Sequence, residues 1–268
     1  MSLPDVLNGN ADWLSLLAVV ATLVPLVALE RWIHQHIHGV AYLFTRNKDA
    51  AILLYAVPLF PGVVLHELSH WTMAKLLGVK TGGISLLPKR DRSGHIRLGS
   101  LVIERTDAIR ASLIGIAPLL SGSLVVLYIG YRMIGVGALG NALLTGSIAA
   151  IASSFGALLR VPDMWLWLYL LFAIANAMLP SPSDRETWTP VVLFLVVIVG
   201  LAYVLGFSRV LLDLAPVVVT SLRWLAVAFA VTLVADMPFV ILIASAEWLL
   251  GTMRGERVYY YQPPKKKE

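Results

Sequence analysis

Long apolar runs separated by short polar stretches make up most of this chain. The runs cover about residues 13–29, 50–77, 108–131, 164–180, 189–207 and 224–250. As helices rising 1.5 Å per residue, each is roughly long enough to cross ~30 Å of hydrocarbon. A further stretch, 137–159, is rich in Gly, Ala and Ser and reads as a span, a half-span or a surface helix. Between Val79 and Glu104 the period changes. Two short runs, "GISLLP" and "HIRLGSLVIE", flank the turn-forming "KRDRSG", which predicts two strands joined by a polar turn. The pattern therefore predicts an all-α polytopic membrane protein of about six transmembrane helices, with a small membrane-associated β-hairpin inserted after the second run.

Composition agrees. Hydrophobic residues make up 58% of the 268 positions and charged residues 14%, against about 25% charged in soluble domains. The formal charge of +5 is then no sign of nucleic-acid binding, because Lys and Arg in such a chain first mark cytoplasmic loops. The heaviest basic cluster lies between Lys75 and Arg110, and the tail ends "PPKKKE". With both in the cytoplasm, an even number of crossings separates them and 137–159 is not a full span. Counting back puts both termini inside and Arg46 and Lys48 outside. There are no cysteines, so thiolate ligands and disulfides are excluded. The first run has no basic residues before it and reads as a retained span. The chain divides into 1–49 (first span and His-rich loop), 50–188 (core) and 189–268 (two last spans and tail). Oligomeric state has no signature here.

The second run contains "HELSH", His66 to His70. On a helix, residues four apart share a face, so two imidazoles converge on one zinc ion, with Glu67 beside them to take a proton from water. Three ionisable residues inside an apolar run are costly without a task. A catalytic zinc needs a third ligand and an open position. His34, His36 and His38 read as an interfacial polar turn after the first span, and His95 as solvated. Among acids, Asp184 directly follows a run, while Asp236 and Glu247 lie inside the last. "GVGALG" fits a nucleotide-binding glycine pattern but lacks its strand–helix context.

The run ending "ANAMLPSPSDRE", taken with "HELSHWTMAKLLGVK", resembles the site-2 protease family of intramembrane zinc metalloproteases. That family joins HExxH to N-x-x-P-x-P-x-x-D-G; here Asn176 and Asp184 keep the spacing of eight. Pro180 and Pro182 stand one place later than in the pattern, and Arg185 replaces the glycine. "IRASLIGIAPLLSG" resembles the family's small-residue third core span, with Ser121 where Asn is common. The resemblance covers about half of the chain. It implies one Zn2+ per chain held by His66, His70 and Asp184, with Glu67 as general base and Asn176 stabilising the oxyanion. It also implies a transmembrane protein as substrate. Two alternatives stay open. One is a prenyl-protein type membrane zincin, although Glu247 is followed four places on by Gly251 and so lacks that type's E-x-x-x-D-like motif. The other is a non-catalytic metal-binding or transport protein with no general-base role for Glu67.

Overall fold

A computed structural model describes residues 12–90, 96–256, 258 and 260. The chain is mostly helical, as long apolar runs must be if every backbone group is to find a partner away from water. Helix α1 spans Asp12–Thr45 and α2 spans Lys48–Ala56. A single 3-10 turn with Pro58, Val57–Leu59, leads into α3, Phe60–Leu76. Four short strands follow: β1 Thr81–Ser85, β2 Lys89–Arg90, β3 Ile96–Arg97 and β4 Ser100–Ile103. Then come α4, Ala108–Tyr128, ending in a π turn over Ile129–Ile134, and two short helices, α5 Val136–Thr145 and α6 Ile148–Leu158. Helix α7 spans Met164–Met178, α8 Trp188–Val204 and α9 Ser208–Arg254.

Four helical stretches among the described residues are long and apolar enough to cross a membrane: Leu14–Thr45, Lys48–Leu76, Ala108–Ile134 and Asp213–Arg254. Helices α5 and α6, of 10 and 11 residues, reach only about 15 Å each and neither crosses alone. They are separated at Gly146, whose φ of 66° lies in the left-handed region open to glycine.

The predicted hairpin is present in two nested antiparallel pairs. Strand β1 pairs with β4 in the register Thr81↔Ile103, Ile84↔Leu101 and Ser85↔Ser100, with an irregularity between the first two. Strand β2 pairs with β3 (Lys89↔Arg97, Arg90↔Ile96). His95 lies outside the described residues.

One expectation needs correction. His34, His36 and His38 form no turn; they lie within α1, which runs on to Thr45. Nothing before Arg46 (φ 52°) breaks it, and Asn47 then caps α2 by accepting from the N–H groups of Asp49 and Ala50. The helix carries its histidines because each has a partner. His36 Nδ1 lies 2.7 Å from Trp32 O and its ring stacks on Trp32, and the His38 ring meets Tyr55 edge-on. Helices α1 and α9 run side by side in the same direction. Arg223 Nε donates to Ser15 Oγ at one end, His36 faces Glu247 midway, and Arg254 caps the Leu43 and Phe44 carbonyls at the other. Arg46 then pairs with Glu256 at 3.2 Å. The contact puts Glu256 at the same end of this helix pair as Arg46. One apolar cluster (Ile33, Ala51, Val63, Phe172) joins α1, α2, α3 and α7.

Helices α3, α4 and α7 pack at three glycine contacts that position the site. A Cβ on Gly62 would lie 1.9 Å from Ala173 O, one on Gly122 would lie 2.4 Å from Met178 Cβ, and one on Gly115 would lie 2.2 Å from Asp184 O. The backbones approach as closely as glycine allows.

Candidate metal centre

His66 and His70 project from one face of α3, as their spacing of four requires. Asp184 arrives from the turn after α7. His66 Nε2 and His70 Nε2 are 3.0 Å apart, His70 Nε2 lies 3.3 Å from Asp184 Oδ1, and His66 Nε2 lies 3.7 Å from Asp184 Oδ2. This is the group among the described residues whose donor atoms, all within 4.8 Å of one another, can hold a metal ion. Tetrahedral ligands with bonds of about 2.0–2.1 Å would stand roughly 3.3 Å apart, so the spacing fits. His66 and Asp184 side chains are each 15% exposed and His70 7%.

The orientation of both imidazoles follows from prolines. Pro118 inside α4 has no N–H, so the Ile114 carbonyl four residues before it loses its helical donor. His70 Nδ1 lies 2.8 Å from that carbonyl. Pro180 ends α7 and in the same way frees Asn176 O, which His34 Nε2 reaches at 3.0 Å. Ser181 would be the donor for Ala177 O, but its N–H goes to Asp184 Oδ2 at 2.8 Å. The freed Ala177 carbonyl takes His66 Nδ1 at 2.6 Å. Nδ1 of His66 and of His70 is therefore the donating nitrogen, and the Nε2 lone pairs face each other and Asp184. Two imidazole acceptors and a carboxylate in contact form a donor set that could hold a metal ion.

The Ser181 N–H donates to Asp184 Oδ2 at 2.8 Å, a hydrogen bond to the charged form that favours the carboxylate. Arg185 does not take this carboxylate. It is exposed, and its Nε donates to Ser181 O at 3.4 Å.

Glu67 is 6% exposed and close enough that its charge interacts with His66, His70 and Asp184. The segment between β3 and β4 covers it: a Cβ on Gly99 would lie 2.6 Å from Glu67 Oε1. Asn176 Nδ2 donates to Phe172 O and to Asp236 Oδ1, both at 2.9 Å, so both of its amide hydrogens are engaged inside the protein. Ser121 Oγ meets Ser69 Oγ at 2.5 Å and ties α4 to α3.

The sequence reading did not place His34 or Asp236 in this neighbourhood. The signals were Pro180, which frees the carbonyl His34 uses, and a carboxyl in an apolar run. Comparison with protein-family models, with curated proteins and with solved structures finds no match to this chain.

Proposed function

We propose that the chain is an intramembrane zinc metalloprotease, with one zinc ion per chain, that hydrolyses a peptide bond in or beside the transmembrane segment of another membrane protein. The observation that carries this reading is the triangle of His66 Nε2, His70 Nε2 and an Asp184 carboxylate oxygen, with both Nδ1 atoms tied to backbone carbonyls. Three protein ligands, two of them neutral imidazoles, match catalytic rather than structural zinc sites, which are closed by four. A zinc ion there supplies a Lewis acid that acidifies water and polarises a peptide carbonyl. Glu67 accepts the proton released by the attacking water and returns it to the departing amide nitrogen. The side chain of Asn176 binds Asp236 and acts on the site through backbone position rather than as a donor to substrate.

A substrate helix hides its carbonyls, so it must unwind before cleavage. Strand β4 follows directly on the segment covering Glu67, and its edge can hold an unwound segment extended by main-chain pairing. The basic stretch between Lys75 and Arg110 assigns that end of the bundle to the cytoplasmic face. In this reading α7, of 15 residues, is a short crossing that ends in the pocket, where backbone freed by "PSP" is tolerated because protein lines it.

The test compares purified parent and Glu67→Gln. Zinc retained, with cleavage of a single-span substrate reduced by about 10²–10⁴-fold, is the expected result. Undiminished cleavage in Glu67→Gln overturns the reading. Zinc retained in both proteins with no cleavage by either favours a non-catalytic metal-binding protein.

A further inference from the structure

Asp236 is fully buried in α9. A carboxyl within an apolar span is expensive, and the proposed chemistry does not use it. Its partner is Asn176 Nδ2, at 2.9 Å. Asn176 sits in the last turn of α7, a turn that has lost its own donors to Pro180 and to the Ser181–Asp184 contact. Such an end would ordinarily fray. Here three elements hold it. Helix α9 holds the Asn176 side chain through Asp236. Helix α1 holds the Asn176 carbonyl through His34, whose other nitrogen meets Tyr55 OH at 2.5 Å. Helix α3 meets the next carbonyl, Ala177 O, through His66.

We propose that Asp236 is a positioning residue for the metal centre: by fixing Asn176, it keeps the Ala177 carbonyl where that carbonyl sets His66 as the Nδ1–H tautomer, with Nε2 turned to the ligand cluster. This rests on the reading of His66, His70 and Asp184 as metal ligands. A leucine at 236 would leave an amide hydrogen of Asn176 buried without an acceptor, and the turn would shift to satisfy it. An asparagine at 236 still offers a carbonyl oxygen in the same place.

The experiment uses the full chain in detergent. Nitrogen-15 histidine spectra report the His66 tautomer, assigned by its loss in His66→Gln, and zinc affinity is read by chelator competition. Asp236→Leu is expected to replace the single tautomer by a mixture and to weaken zinc binding about 10–100-fold, while Asp236→Asn keeps both properties. Asn176→Leu should match Asp236→Leu, and the double variant should go no further. Should Asp236→Leu fail to fold, Asp236→Ser takes its place, being polar but too short to reach Nδ2. The parent tautomer and affinity in a folded variant, or additive losses in the double variant, overturn the proposal. Failure of the protease reading looks different: a zinc-loaded parent that cleaves nothing, with the Asp236 effects intact. If the parent takes up no zinc, the ligand reading fails and the tautomer measurement alone decides the Asp236 link.

Discussion

Pro118 and Pro180 each remove one amide hydrogen, four residues after Ile114 and Asn176, and the histidines occupy the places left open. The consequence is testable one residue at a time. In Pro118→Ala a restored N–H competes with His70 for Ile114 O, and zinc affinity by chelator competition should fall by about tenfold, although the helix itself gains a hydrogen bond. Asp184→Ala should abolish stoichiometric zinc in purified protein. Arg185→Gly, which restores the residue of the resembled family, should leave affinity within about a factor of two, the usual range for surface changes. The pairing of His66 with His70 was legible because a spacing of four puts both imidazoles on one helix face. The Asn176 side chain was not legible. Whether its amide faces a pocket or Asp236 depends on a residue from a different helix, and no local pattern encodes that pairing.

At the scale of elements, the centre exists because α3, α4 and α7 meet at glycines. Gly115→Ala would drive a methyl into the Asp184 carbonyl, 2.2 Å away. Overpacking of this kind costs about 1–3 kcal/mol. We expect a lower thermal midpoint together with reduced zinc content, because the strain falls on the turn that carries a ligand. Helix ends differ in how they are set. Asp107 caps α4 by accepting from the Arg110 N–H at 3.0 Å, and that bond holds its carboxyl below its ordinary value. The end of α7 was announced by "PSP". The end of α1 was not, because "HQHIH" has the polarity of a loop. Its helical state is set by partners on other elements, above all Tyr55, Glu247 and the Asn176 carbonyl.

Across the whole molecule, α1 and α9 form a pair stapled at both ends, which brings Arg46 beside Glu256. Charge counting weighs each loop alone, whereas this pairing joins residues 210 apart in sequence. A chain without cysteines makes the matter easy to settle. Single cysteines at positions 46 and 256 should both react with a membrane-impermeant maleimide added from the same side of sealed vesicles. Arg254→Met removes the cap on the Leu43 and Phe44 carbonyls and should cost about 1–2 kcal/mol, seen as faster hydrogen exchange at the end of α1. Apolar run lengths made the helical class readable, but the side-by-side course of the first and last helices was not, since both are apolar on most faces and neither carries a pattern that names its neighbour.

The contact between Gly99 and Glu67 has a kinetic meaning. The hairpin rests on Glu67 with no room for even a methyl group, so under the proposed protease function entry of any polypeptide must first lift that latch. A bulkier residue at 99 would hold the latch ajar. Such a variant would trade selectivity for speed, accepting segments too stable in their helical form to displace the hairpin themselves.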